Sequence, residues 1–417
     1  MRIIIRNIKG LVLAEEGVPA LRVCGADMAR LPVLEQAFLL LADGKIADFG
    51  PMQACPQGVF DEEIDATGRF VLPSFCDSHT HLVYAGSREQ EFVDKINGLS
   101  YEDIARRGGG ILNSAALLHN TSEEDLFAQT LERAVEIMAM GTGAVEIKSG
   151  YGLNTEDELK MLRVARRIGR ETPLTVRTTF LGAHAVPLAY KGRQSEYVDL
   201  IVEEMLPAVA AEGLADYVDA FCERGFFTPE DTARIFTAAK SYGLIPKLHA
   251  NQMDFSGGVE VGCAHGAVSV DHLEYTGPEQ FAVLKTCDTM PTLLPGASMF
   301  LNMDLAPGKA MIQAGLPVAL ASNYNPGSCP SGDMKFMMAL ACIHMKLNPE
   351  EAIYAATLNG AAAMGLSATH GSIAKGKVGN VFITKPIPSY AFLPYAFNSP
   401  LVERVILNGE PWKPEKC

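Results

Sequence analysis

Nine histidines are spread over the 417 residues, and five of them stand at the ends of short apolar runs. His79 and His81 form an HxH pair within Asp77-Ser78-His79-Thr80-His81, His184 follows TTFLGA, His249 lies in KLHAN and His272 in SVDHLE. In an extended chain, residues two apart point to the same side, so His79 and His81 can face one ion together. A lone HxH is a weak sign of a metal. Several strand ends carrying imidazoles are harder to assign to core packing, because each buried ring would need hydrogen-bond partners. The chemistry open to such a set is that of a bound metal and the water it activates. His119, His265, His344 and His370 fall in helical or loop stretches and are expected to be structural or solvated.

Imidazoles from distant segments converge only if a scaffold brings the segments together. Buried-type runs occur at 71–78, 143–149, 174–182, 217–223, 245–251, 267–274, 288–294 and 317–323. Between them lie stretches with helical periodicity, such as 156–171 and 229–243. Eight such runs alternating with helices predict a (β/α)8 TIM-like barrel, which places chemistry at the C-terminal ends of its strands. A doubly wound sheet ranks behind, since no GxGxxG follows a strand. The chain ends differ in texture: 2–13, 38–49 and 60–71 read as short strands broken by Gly and Asp turns, and 371–384 and 402–411 resume that pattern. Neither end can bury an apolar face alone, so the two should close on each other. The expected class is therefore α/β: a barrel over 71–370 and a small β-sandwich built from 1–70 and 371–417.

Composition narrows the function. The charge is −14, which argues against nucleic acid or an anionic membrane as partner. No apolar run approaches the roughly 20 residues of a membrane span, and MRIIIRNIKG lacks the plan of a signal peptide. Nine scattered cysteines without a CxxC pair fit reduced thiols in a cytoplasm. A small-molecule substrate is the expected partner.

The HxH after the first barrel strand, with histidines ending the fifth and sixth, resembles the amidohydrolase superfamily. The local motifs DSHTHLVYAGSREQEF (77–92), GGGILNSA (108–115), EIKSGYGL (146–153) and TFLGAHAVP (179–187) resemble the imidazolonepropionase family within it. HANQMDFSGGVE (249–260), SVDHLE (269–274), LLPGASMFL (293–301) and NYNPGS (323–328) extend the likeness over essentially the whole chain. The resemblance implies one metal ion, zinc or iron, held by His79, His81, His249 and the residue ending the eighth strand. It implies hydrolytic opening of a ring amide, with His272 handling the proton or orienting the attacking water and Gln252 touching the imidazolone ring. Gln252 can hydrogen-bond but cannot act as a base. Arg88 matches the cation for a propionate tail. Tyr151 and His184 match further substrate contacts, Tyr101 a weaker one, and Asn325, Gly327 and Ser328 a loop against substrate and product. Lys148 and Glu146 are expected to be structural, since a carboxylated lysine belongs to two-metal relatives. The glycines at 108–110 suggest a loop over the pocket rather than a phosphate site. Barrels of this type often pair, so a homodimer is an expectation by analogy.

The chain departs from the family at one ligand. The family motif has the form DxNPGS, whereas this sequence has Asn323, with Asn325, Pro326, Gly327 and Ser328 fixing the register. An amide offers only its carbonyl oxygen and carries neither the charge nor the proton of a carboxylate. The change is open to three explanations: an introduced substitution, a slow or inactive protein, or His272 taking over the proton. Three functions stay in view: a ring-opening imidazolone hydrolase, another cyclic-amide hydrolase or deaminase of the superfamily, and a catalytically silent binding protein.

Overall fold

The structure is a computed structural model and describes residues 1–99 and 109–414. Tyr101 and Gly108 lie outside the described residues. Eight parallel strands form the barrel in simple sequential order: Phe75–Thr80, Thr142–Lys148, Thr175–Ala183, Tyr217–Cys222, Ile245–Ala250, Ser269–His272, Met290–Leu293 and Ala319–Leu320. Each overlaps one of the expected apolar runs. Most are buried along their whole length, because helices cover the outside and side chains fill the inside; that is why they read as continuous apolar runs rather than alternating ones.

The eighth strand is two residues long, and the barrel closes through the chain just after it. Thr80 bridges Tyr324, the Asn323 amide donates to the His79 carbonyl at 3.0 Å, and the His81 amide donates to the Tyr324 carbonyl at 3.0 Å. Asp77 adds a side-chain clamp by accepting the Ser322 amide at 3.0 Å and the Ser322 hydroxyl. The seam thus lies at the HxH motif itself.

The outer helices start where the sequence supplies caps. Asn154 accepts the Asp157 amide to open Thr155–Glu171, and Thr228 with Asp231 forms a capping box before Pro229–Lys240. Both helices turn a buried apolar stripe to the barrel, Met161, Leu162, Ala165 and Ile168 in the first and Ile235, Phe236 and Ala239 in the second.

The chain ends do close on each other. Five N-terminal strands (Arg2–Val12, Val33–Ala42, Lys45–Pro51, Glu62–Asp65, Phe70–Pro73) and three C-terminal ones (Val381–Thr384, Val402–Leu407, Glu410–Trp412) share a sheet. Phe70–Pro73 is the join, parallel to Arg2–Val12 and antiparallel to Val381–Thr384. As expected, both ends build one separate β unit, and its strands are hydrogen-bonded into one continuous sheet. It curls until the Gly44 turn packs on Gly409, and Ile3, Ile5, Leu39, Leu41, Val381 and Ile406 fill its inside.

Candidate active site

The barrel brings all five strand-end histidines into one cluster. Ring centroids lie 5.4 Å apart for His79 and His81, 4.4 Å for His79 and His249, and 5.3 Å for His81 and His249. His184 stacks on His81 at 5.1 Å, and His272 lies 5.3 Å from His249. His79, His249 and His272 offer ring nitrogens within 4.8 Å of one another, as do His81, His184 and His249.

Buried carboxylates fix which nitrogen each ring presents. His79 Nδ1 faces Asp271 Oδ2 at 2.6 Å, and His249 Nδ1 faces Asp219 Oδ2 at 3.0 Å. Each Nδ1 therefore carries the proton, and each Nε2 is left as a lone pair. His249 Nε2 lies 3.3 Å from His81 Nε2, and His79 Nε2 is buried with no partner. A buried lone pair without a partner is costly, and a cation at the cluster would satisfy it. Burial holds the rings neutral: it pulls His249 down to about 4 against the opposing pull of Asp219, and His184 down to about 3. His79 and His81 are likewise held well below their ordinary value, mainly by burial. Neutral imidazoles are the form that binds metals. The donor set fits a metal ion.

Behind the histidines sits a closed ionic network. Lys148 Nζ donates to Glu146 Oε1 at 2.7 Å and Asp219 Oδ2 at 2.8 Å and lies 3.7 Å from Asp271. Burial alone would lower the Lys148 ammonium, but Asp219, Glu146 and Asp271 together raise it. Three buried carboxylates around Nζ suit a cationic ammonium there. Lys247 Nζ sits 3.2 Å from Glu146 Oε2, in ion-pair range, and donates to the carbonyls of Ser78 and Ala363. Asp219 is held well below the usual carboxylate range because His249 and Lys148 outweigh its burial.

A cavity of about 590 Å³ opens above the cluster. His81, His249 and His272 form its floor with Asn323, and Tyr151, His184 and Gln252 its inner wall. Arg88 comes in from the side, its Nε and Nη2 donating to Glu91 Oε2 at 3.0 and 2.6 Å. Glu91 Oε1 in turn accepts the Gly110 amide and the Asn113 side chain. Gly327 lies directly under the guanidinium, where a Cβ would overlap Nη1. Asn325 shapes the loop by accepting the Gly327 and Ser328 amides at 2.8 and 2.9 Å while donating to the Asn323 carbonyl at 2.6 Å. Asn323 sits in the left-handed region at φ 56°, and its Nδ2 donates to Ser328 Oγ at 3.3 Å. The outer wall is apolar, with Phe92 stacked on Phe300 at 5.4 Å.

Every site residue expected from the sequence and described here thus lies at the histidine cluster or along this cavity. Sequence reasoning missed Asp219, Asp271 and Glu91. Only Glu91 carried a local signal, three residues past Arg88 at helical spacing. Of the histidines expected to be structural or solvated, His119 is largely exposed beside Asp157 and His370 is buried against Thr175. No helix among the described residues is long and apolar enough to cross a membrane.

A sequential parallel barrel with imidazoles at its strand ends and a curled sheet from both termini is the amidohydrolase architecture. The amidohydrolase profile matches residues 70–411, and the chain belongs to this metal-dependent family, whose members hydrolyse carbon–nitrogen bonds. Within it the chain is 54% identical over 410 residues to the imidazolonepropionase of Christiangramia forsetii, covering 98% of this chain and 100% of the relative. It is also 54% identical over 407 residues to that of Flavobacterium johnsoniae, covering 98% and 99%. In fold it is similar to a triazine hydrolase variant (TM-score 0.76, 15% identity, 98% and 94% covered). Guanine deaminase from E. coli is another such match (TM-score 0.73, 14% identity, 99% of each chain).

Proposed function

We propose that the protein hydrolyses 4-imidazolone-5-propanoate to N-formimidoyl-L-glutamate, a step of histidine degradation. The observation that carries this reading is one cavity with the neutral imidazole cluster at its floor and Arg88 on its wall, in a chain so similar to proteins of that name. In this reading His79, His81, His249 and the side-chain Oδ1 of Asn323 hold one ion, zinc or iron. Nitrogen-rich, neutral ligation suits both metals. The single-ion count is supported by Lys148, whose ammonium is engaged by carboxylates. When bound, the ion supplies Lewis acidity and a water acidified towards neutral pH.

The remaining work falls to side chains. Arg88 binds the propionate; Glu91 occupies one edge of its guanidinium and Gly327 leaves room beside Nη1. Tyr151 and His184 pack against the ring, and the Gln252 amide hydrogen-bonds to it. Glu223, which accepts the Met253 amide at 2.7 Å, anchors the segment that carries Gln252. Asn325, Gly327 and Ser328 line the exit for the opened product. His272 takes the proton of the attacking water and returns it to the departing ring nitrogen. The eight described cysteines are all free, which supports a cytoplasmic setting.

Elemental analysis of the purified protein, combined with an assay of imidazolonepropionate disappearance, tests the reading. About one equivalent of metal and ring opening are expected. Two equivalents would overturn the one-ion site. Asn323 favours a second reading, a pocket-retaining protein without turnover. It predicts a bound metal and retained affinity for the propionate without product.

A further inference from the structure

The sixth barrel strand ends in an unusual backbone. His272 at φ 87° and Leu273 at φ 69° are consecutive residues in a region that L-residues seldom occupy. Hydrogen bonds to the neighbouring strand end hold this reversal in place. The Leu273 amide donates to the Ala250 carbonyl at 3.1 Å, the Tyr275 amide to the Asn251 carbonyl at 2.8 Å, and Asn251 Nδ2 to the Tyr275 carbonyl at 2.9 Å. Strained backbone kept by so many contacts commonly marks a functional constraint. Its effect is to fold Glu274 back under His272.

Glu274 Oε1 lies 3.7 Å from His272 Nδ1 and accepts the Ser298 hydroxyl at 2.7 Å. Glu274 Oε2 and His272 Nδ1 are both buried with no hydrogen-bond partner. A buried carboxylate with one oxygen to spare, beside a buried ring nitrogen with no other partner, is complementary to it. His272 itself lines the cavity, and with Nδ1 buried beside Glu274 its Nε2 is the nitrogen left for substrate. The two other imidazoles of the cluster with a carboxylate on Nδ1, His79 and His249, use a different arrangement: their acids belong to the Lys148 network. Glu274 has no lysine beside it among the described contacts, only the Ser298 hydroxyl.

We infer that Glu274 is the positioning residue of His272. It holds the proton on Nδ1 so that Nε2 faces the cavity as a lone pair, and it steadies the imidazolium formed during the reaction. This rests on the ring-opening reading above. The proton balance is closed: water loses a proton to Nε2 as its oxygen bonds to the ring carbonyl carbon. The carbon–nitrogen bond then breaks, and Nε2 returns the proton to that nitrogen. Such a device supplies what Gln252 and Asn323, both neutral amides, cannot.

The test uses the full-length, metal-loaded protein with Glu274→Gln and Glu274→Asp. Nitrogen-15 histidine spectra, with His272 assigned through His272→Asn, should show the Nδ1–H form in the parent. In E274Q the Nδ1–H preference should be lost, because an amide can donate as well as accept. Turnover should fall by at least about tenfold with KM changed by less than about threefold, and E274D should restore part of it. Metal content should stay the same in all three. An unchanged His272 tautomer in E274Q would overturn the inference, as would a loss confined to KM or to metal content. A parent without ring opening would overturn the proposed function, while the tautomer measurement would still decide the role of Glu274.

Discussion

The Asn323 backbone amide donates to the His79 carbonyl at 3.0 Å, so the residue at the position where the sequence motif leads one to expect aspartate also closes the barrel behind the HxH pair. The backbone fixes its place, at a φ of 56° that aspartate tolerates as asparagine does. Asp77 reinforces this by gripping Ser322, the residue before it. Substitution at position 323 therefore changes charge and proton capacity at the cavity floor without moving the floor.

Asn323→Asp should raise ring-opening turnover by at least about tenfold, set against the 10²–10⁴-fold that general acid–base assistance supplies. It should also slow loss of metal to a chelator, because an anionic ligand replaces a neutral one. Both proteins would be compared after metal reconstitution, by imidazolonepropionate disappearance and by metal release. Equal rates would leave the proton with His272.

Gly327→Ala should act on substrate binding through Arg88, since the new Cβ overlaps Nη1 and must displace the guanidinium. Loss of a charge-assisted contact costs about 1.5–3 kcal/mol, or roughly ten- to hundredfold in affinity. Arg88→Ala should match it. Steady-state kinetics should show KM rising in both variants at unchanged metal content. A KM equal to the parent's would remove Arg88 from the propionate site.

Lys148→Met should destabilise the fold rather than only slow it. It strands Asp219 and Glu146, both fully buried, without their shared cation. Breaking a buried ion pair from one side costs about 3–5 kcal/mol. Urea denaturation should show the midpoint falling accordingly. A stability within about 0.5 kcal/mol of the parent would mean that Lys247 or water replaces it.

The Glu91 carboxyl carries a pH signature. Burial pushes it up, but hydrogen bonds and charge from Arg88, with the Gly110 amide and Asn113, bring it below its ordinary value. A depressed carboxyl stabilises the fold above its unfolded value and loses that contribution as pH falls through the folded value. Glu91→Gln should therefore lose stability at neutral pH and show a shallower decline towards about pH 3.5 than the parent. Denaturation midpoints at the two pH values check this. Parallel declines would show that Glu91 is not linked to folding.

The sequence alone determined a good deal of this protein. Continuous buried runs alternating with helical stretches pointed to eight barrel strands, and the HxH pair with His184, His249 and His272 marked the strand ends. Arg88 and the Asn325–Ser328 loop were legible as well, as was the departure at Asn323. These are local properties: residue type, period and capping act over a few positions. The tertiary structure decided which charge meets which. Asp271 reaches His79 across 192 residues, and Lys148 reaches Asp219 across 71. These pairings follow from the register between strands distant along the chain. Nothing adjacent in the sequence specifies that register. The same holds for the curled terminal sheet, whose turns at Gly44 and Gly409, more than 350 residues apart in the chain, pack on each other. Glu274 is the clearest case. It lies two residues from His272, a spacing that in extended chain points both side chains the same way without bringing them into contact. Two left-handed residues, held by hydrogen bonds to the Ala250 and Asn251 carbonyls, fold it underneath instead.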